Sequence, residues 1–343
     1  MPFKAPKFWQ TSSHPFAFLL WPFSLLYGAA AAYRMRNAVP FFADVPCLCV
    51  GNYSFGGEGK TPTALALAKA AQQKGLAPGF LSRGYGGIKQ HPHLVDQKED
   101  TAHSVGDEAL LLARLAPTVV AGKWRLEGAK LLQKTGCNFI IMDDGFQSRR
   151  LFPDFALIVQ QENLYREKRF VFPAGPLRAP LEIQKFYTNF VLLMKKKQNL
   201  PSSPLNLSPS LRQAYGFLQP FIAQGSSLAG RKILAFCGLA RPEKFFSSVQ
   251  DLGGQVMKCC AFEDHHFFSK KELASLAEEA QQKGLHVVTT AKDYMRFRHA
   301  KDLPIYLQQN LTILDVELLC SPKELPFFLI EQTLHSFAKR RQG

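Results

Sequence analysis

The sequence predicts an open, largely parallel α/β architecture built as two α/β units, the first carrying a phosphate-binding loop. Three observations predict it. Short apolar runs alternate with helical patterns along the whole chain. Clusters of Gly, Asp and Lys fall at the carboxyl ends of those runs, where such sheets bind ligands. The stretch 198–210, QNLPSSPLNLSPS, then breaks the pattern with Pro, Ser and Asn and reads as a boundary.

The 343 residues suit two domains, each able to bury a core, and the 46% hydrophobic content is ordinary for a globular chain. Net charge is +15, from 42 basic against 27 acidic residues, which suits an anionic partner: nucleic acid, an anionic membrane or a phosphorylated substrate. No base-stacking signature accompanies the 12% aromatic content, which argues against nucleic acid. The seven cysteines show neither CxxC nor metal-ligand spacing, so a reducing compartment without disulfides or structural zinc is expected.

From Pro15 to Tyr33 no residue is charged, and Arg34 and Arg36 follow. A secretory signal is discounted, because a phosphate-loop strand comes next. The segment is just long enough to span a bilayer, but Pro22, Ser24 and Gly28 interrupt it. A helix lying in the membrane interface, with the arginines at the headgroups, fits at least as well and is favoured over a buried core helix. The basic flank would then keep the body of the protein on the cytoplasmic side.

Residues 46–63, PCLCVGNYSFGGEGKTPT, are the stretch around which the chain is organised. Cys47 to Val50 reads as a buried strand, Gly51 to Gly59 as a glycine loop, and Ala64 to Ala71 as a helix. Strand, glycine loop, Lys-Thr, helix is the order of a phosphate cradle. Backbone N–H groups and the helix N-terminus favour the anion, Lys60 reaches the β- and γ-phosphates, and the Thr61 hydroxyl binds Mg²⁺. Ser54, Phe55, Gly56, Gly57, Glu58, Gly59, Lys60 and Thr61 are the candidate ATP contacts. Ser54 stands where the general motif has its first glycine, and an ordinary glycine turn is the bland alternative.

Pro78 to Leu81 is a strand ending in SRGYGG, where Arg83 serves either a ligand or a tight turn. Residues 91–104 read as an exposed polar loop. Asp107 and Glu108 open a helix, a place where acids are common because they offset the helix dipole. Thr118 to Val120 is a strand and Trp124 to Lys134 a helix. Phe139 to Met142 runs straight into Asp143 and Asp144, the apolar-strand-then-acid arrangement that holds Mg²⁺ beside a phosphate loop. Strands come next at Phe155 to Val159 and Phe190 to Met194, separated by the rigid loop PAGPLRAP with Arg178, which is either structural or a phosphate contact. Beyond the boundary, Gly216 to Ala223 is a linking strand. Strands 232–237, 256–261 and 287–290 and helices from Glu243 and over 270–283 build the second unit, with a helical tail over 322–341. Asp264 and His265 come after one of its strands, as a proton relay or as a plain surface pair.

The motifs VGNYSFGGEGKTP, SRGYGG, VGDEALLLA, MDDGFQSRRL, PAGPLR, FEDHHF and TTAKD, in this order along nearly the whole chain, resemble the tetraacyldisaccharide 4′-kinase family of lipid A biosynthesis. Members commonly carry a hydroxyl residue where Ser54 stands; Ser148 and Ala179 replace the histidine and the acid expected there. The resemblance implies two α/β/α sandwich domains, a P-loop NTPase-like one over 37–212 and a smaller one over 230–343 with the C-terminal helix. A short two-stranded linker at 213–229 joins them, and a membrane-associated helix occupies 1–36. It implies transfer of the ATP γ-phosphate to the 4′-hydroxyl of an acylated glucosamine disaccharide 1-phosphate, with ATP and Mg²⁺ as cofactors. The location implied is the cytoplasmic face of a Gram-negative inner membrane, with no nucleic acid and no obligate protein partner. By the same resemblance Asp107 is the candidate base, helped by His265, and Lys60 holds phosphate. Thr61, Asp143 and Glu108 are the candidate metal ligands, and Asp144, Arg83, Arg178 and Asp264 the substrate or supporting groups. The rival reading is a soluble P-loop GTPase or ATPase acting as a switch or metallochaperone; a guanine reader would show an NKxD-like strand end, and TAKD, residues 290–293, is superficially similar to it, a likeness taken as chance.

Overall fold

A computed structural model of the chain describes residues 6–10, 14–39, 41–56, 59–89, 91–162, 170–195, 207–208, 210, 212–300 and 302–342. Most of the boundary read at 198–210 lies outside them.

The first half holds β1 (Cys47–Gly51), β2 (Pro78–Ser82), β3 (His93–Leu94), β4 (Thr118–Val120), β5 (Phe139–Asp143), β6 (Phe155–Gln161) and β7 (Phe190–Met194). Its helices are α1 (Pro15–Arg36), α2 (Lys60–Gln73), α3 (Ala102–Val105), α4 (Asp107–Ala113), α5 (Arg125–Lys134) and α6 (Leu181–Phe186). The second half holds β8 (Gln213–Gln224), β9 (Lys232–Cys237), β10 (Gln255–Ala261), β11 (His286–Thr290) and β12 (Leu311–Ser321). Its helices are α7 (Pro242–Asp251), α8 (Lys270–Gln282), α9 (Ala291–Phe297), α10 (Ile305–Asn310) and α11 (Leu325–Gln342).

All these strands join in one sheet, ordered β10-β9-β11-β12-β8-β7-β6-β1-β5-β2-β4-β3. Every pairing is parallel except β3 on β4 and the long β8–β12 ribbon. β8 continues the first half through β7 and then runs on into the second, where β12 pairs in parallel with β11. The two α/β units are therefore parts of one sheet, bridged by two antiparallel strands.

β12 was not expected from the sequence. Its residues are half-buried along most of their length, and Asp315 and Glu317 interrupt the apolar run, so neither period stands out. The polar stretch at 91–104 is also more ordered than expected. Asp100 is buried and accepts hydrogen bonds from Lys89 Nζ (2.8 Å) and Ser104 Oγ (2.9 Å) and pairs with His93 Nε2 at 2.6 Å. That cluster leads directly into α3 and α4.

Core side chains lie on both faces of the first-half sheet. On one face Leu48, Val50, Phe139 and Phe190 meet α2 and α11, through Leu67, Ala71, Leu325, Phe328 and Leu329. The last helix thus returns to pack on α2 of the first half, although it comes after the second half in sequence. On the other face Cys47, Cys49, Tyr53, Leu132 and Met142 meet Ala31 and Met35 of α1.

α1 docks through small residues. Its buried positions are Ala17, Ser24, Gly28, Ala31 and Met35. A Cβ on Gly28 would stand 3.5 Å from Pro180, so the helix lies close against the loop before α6. The Ser24 hydroxyl donates to Val171 O (2.8 Å) and accepts from Ala174 N (2.9 Å). Its large side chains point away: Phe16, Phe18, Trp21, Phe23 and Leu25 are exposed, Leu19 by 69% and Leu26 by 72%. That reverses the arrangement of a core helix, since burying each such side chain is worth ~1.5–3 kcal/mol. Helix α1 is long and apolar enough to cross a membrane, by length and composition.

Candidate active site

The cleft lies at the carboxyl ends of the parallel strands and has two sides. On one side, β1 ends at Gly51 and α2 begins at Lys60. Gly59, the residue before α2, has φ 94, a left-handed value that favours glycine. Among the described residues no side chain caps α2, so its first N–H groups suit an anion. Ser54 is buried, with Gln160 Nε2 donating to its hydroxyl (3.3 Å) and Arg178 Nε donating to its carbonyl (3.1 Å). Phe55 N bonds Pro176 O at 2.8 Å, and Asn52 Nδ2 donates to Gly56 O at 3.2 Å. The loop is thus braced from β6 and from the PAGPLR segment. Gly57 and Glu58 lie outside the described residues.

β5 pairs in parallel with β1 and sets Asp143 level with Val50. The buried Thr61 hydroxyl donates to Asp143 Oδ2 at 3.4 Å, while Asp143 Oδ1 is buried with no hydrogen-bond partner among the described residues. Burial pushes the Asp143 carboxyl upward and the nearby Glu108 adds to it. Asp144, at φ 54, turns back to meet Arg178 Nη1 at 2.7 Å and Lys60 Nζ at 3.8 Å. Burial acts upward on Asp144 too, but those two cations hold it below the usual carboxylate range.

The other side is built from backbone packed on backbone. A Cβ on Gly106 would come within 2.3 Å of Tyr85 O, and one on Gly87 within 2.6 Å of the Val105 carbonyl carbon. SRGYGG and VGDE therefore need their glycines to pack against each other, and this places Asp107 at the start of α4. Asp107 is buried. Its Oδ1 accepts from Glu108 N (2.8 Å), and its Oδ2 meets His265 Nδ1 (3.1 Å) and Arg296 Nε (2.9 Å). Burial alone would raise this carboxyl; the His265 hydrogen bond and the Arg296 charge hold it well below the usual range. The same hydrogen bond raises His265 above an ordinary histidine. His265 sits at φ 59, its ring edge-on to Tyr85, and Asp264 lies 4.0 Å from its Nε2.

The structure thus brings Lys60, Thr61, Asp143, Asp144 and Arg178 together on one side, and Asp107, Glu108 and His265 on the other. Glu108 couples the two through its effect on Asp143. Arg83 is exposed at the rim, close enough for its charge to reach Asp144. Sequence reading missed Lys292 and Arg296. Lys292 Nζ meets Glu108 Oε1 at 2.5 Å, and the buried Arg296 side chain binds Asp107 and Asp293. Both belong to the TAKD strand end and the short helix after it, so that segment serves the cleft through its side chains.

The chain was compared with known proteins. A family model described as tetraacyldisaccharide-1-P 4′-kinase matches residues 16–332. The chain is 43% identical over 348 residues to the tetraacyldisaccharide 4′-kinase of Allorhizobium ampelinum, across 99% of this chain and 100% of that one. It is 41% identical to that of Bartonella tribocorum, across 99% and 97%. Among solved structures, LpxK from Aquifex aeolicus in complex with ATP superposes with a TM-score of 0.71 at 25% identity, across 93% of this chain and 99% of that one.

Proposed function

The chain belongs to the tetraacyldisaccharide-1-phosphate 4′-kinase family, and from this we propose how its cleft phosphorylates the lipid A precursor. The γ-phosphate of ATP passes to the 4′-hydroxyl of a tetraacylated glucosamine disaccharide 1-phosphate, giving the 1,4′-bisphosphate. The assignment of roles rests on the closeness of two groups of side chains: Glu108, next to Asp107, acts on Asp143, whose carboxylate lies beside the Thr61 hydroxyl. Phosphoryl transfer needs mostly positioning and charge neutralisation, and this arrangement supplies both.

In this reading the loop from Ser54 to Thr61 holds the ATP phosphates, with Lys60 on the β- and γ-phosphates. Arg178, already tied to Asp144 and to the loop, orients that edge. Asp107 takes the proton of the sugar hydroxyl on Oδ1, which accepts one hydrogen bond, from Glu108 N, whereas Oδ2 already meets both His265 and Arg296. His265 and Arg296 are then positioning residues, with Asp264 supporting the histidine. Arg83 at the rim suits the anionic sugar head.

The residues present fit a divalent ion. Among the described residues Asp143 Oδ1 is buried without a partner, the Thr61 hydroxyl is beside its other oxygen, and Glu108 is near enough to act on it. Among the described residues no three His, Cys, Asp or Glu side chains form a ready-made metal set. This suits Mg²⁺, which takes one or two carboxylates together with substrate phosphates. Thr61, Asp143 and Glu108 would hold it, and it would neutralise charge on the β- and γ-phosphates.

The outward aromatic face of α1, flanked by Arg34 and Arg36, would rest in the headgroup boundary of the inner membrane, with the cleft on the cytoplasmic side. Replacing Leu19 and Leu26 by Glu should move the protein from sedimented vesicles to the supernatant. Unchanged sedimentation would overturn the membrane reading.

The deciding assay uses radiolabelled ATP, Mg²⁺ and tetraacyldisaccharide 1-phosphate in detergent micelles, with wild type beside Asp107→Asn. Labelled lipid from wild type alone supports reaction and base together. ATP hydrolysis with no labelled lipid would replace this reading with a soluble nucleotidase. Full activity in Asp107→Asn would remove the base assignment.

A further inference from the structure

The two cations that α9 brings to the cleft are held in opposite ways. Arg296 has a side chain only 1% exposed, and its guanidinium is divided among Asp107, Asp293 and the Gly238 carbonyl (3.0 Å). Asp293 is itself fixed by Gly238 N at 3.0 Å and by the Thr290 hydroxyl at 2.6 Å. That group has no freedom. Lys292, one turn earlier, is 28% exposed, and Glu108 is its one hydrogen-bond partner among the described residues.

Two facts make this lysine more than a helix decoration. It stands in the first turn of α9, where a cation opposes the helix dipole, so helix stability does not call for it. Its partner is a candidate metal ligand, and its charge also reaches Asp107 and Asp143 across the cleft.

We propose that Lys292 is an exchangeable cation: it neutralises Glu108 while the site is empty, and turns to the γ-phosphate when Mg²⁺ and ATP arrive and Glu108 takes the metal. This rests on the kinase reading above. The second half of the chain then contributes a donor to the transferring phosphoryl group, which Lys60 approaches from the first half. A compact ammonium on a four-carbon stem suits a partner change that a planar guanidinium held at three points cannot make. Lys292 only donates hydrogen bonds in this step. The bond from the γ-phosphorus to the bridging oxygen breaks, the bond to the 4′-oxygen forms, and the hydroxyl proton goes to Asp107.

The test compares wild type, Lys292→Met, Lys292→Arg and Lys60→Ala, with two readouts. The first is calorimetric binding of Mg²⁺ alone to nucleotide-free enzyme. Removing the competing ammonium should tighten it by up to about fivefold in Lys292→Met. The second is steady-state kinetics: kcat should fall ~10²-fold or more, with the KM for ATP within about threefold. Unchanged Mg²⁺ affinity, or kcat within twofold of wild type, overturns the proposal. If Lys292→Met does not fold, Lys292→Arg decides. It keeps the pair with Glu108, so at wild-type melting temperature its kcat should still fall at least ~10-fold, and full turnover would overturn the exchange. Lys60→Ala separates the two levels of argument. Normal turnover in that variant removes the kinase assignment of the loop, whereas loss there with none in Lys292→Met removes only the role of Lys292.

Discussion

The carboxylates on the two sides of the cleft are held by different parts of the chain. Asp143 and Asp144 find Thr61, Lys60 and Arg178 within the first half. Asp107 and Glu108 also belong to the first half, but His265, Lys292 and Arg296, which pair with them, come from the second. The side with Lys60, Asp143 and Asp144 is therefore assembled by one unit, and the side with Asp107 and Glu108 is complete only when both units are in place. ATP recognition and phosphate transfer should accordingly be separable by mutation.

The largest effect should come from the joint itself. Arg296→Met leaves Asp107 and Asp293 buried without their cation, a change worth ~3–5 kcal/mol. Thermal unfolding should show a markedly lower midpoint, and an unchanged one would mean that the second half does not hold the side with Asp107 and Glu108. Next comes Asp107→Asn, which should cut kcat ~10²–10⁴-fold while ATP affinity, read by titration, stays near wild type. Loss of ATP binding in that variant would erase the distinction between the sides. Lys60→Ala should do the reverse, weakening ATP binding along with turnover while leaving the melting temperature within a few degrees.

The smallest effect is one of pH. His265 is raised by its hydrogen bond to Asp107, so its pairing stabilises the fold fully below the ordinary histidine value of about 6.5. That contribution is lost as pH rises through the higher folded-state value. Wild type should lose up to about 1 kcal/mol more than His265→Gln over this window, since the ring is partly exposed. Parallel melting curves from pH 6 to 9 would show that the ion pair adds nothing.

The same division explains what could be read in advance. Cys47–Gly51, the glycine loop, Lys60-Thr61 and the Asp143-Asp144 pair were legible because strand, loop and helix succeed one another within the motif. Asp107 was legible by resemblance, and His265 as an acid-flanked histidine, but nothing in their spacing joined them across 158 positions. Lys292 was legible only as part of the TAKD strand end, and the short helix whose face presents it and Arg296 was not read from the sequence. Only the pairing of β12 with both β11 and β8 turns that face to the cleft. β12 itself was hidden by its mixed burial, and the order at 91–104 by polar residues that satisfy one another around Asp100.

The return of α11 to the first half bears on how the chain is made. Leu325, Phe328, Leu329 and Ile330 cover the same core as Leu67, Ala71 and Phe190, and Arg340 bonds Asp154 at 2.6 Å beneath β6. On the ribosome these residues emerge only after the whole second unit. Until then the phosphate-loop unit carries an uncovered apolar face, so its folding cannot finish ahead of its younger neighbour. Nascent chains halted before Leu325 should be sticky to holdase chaperones, and a stop codon there should cost the cell the entire enzyme rather than its tail.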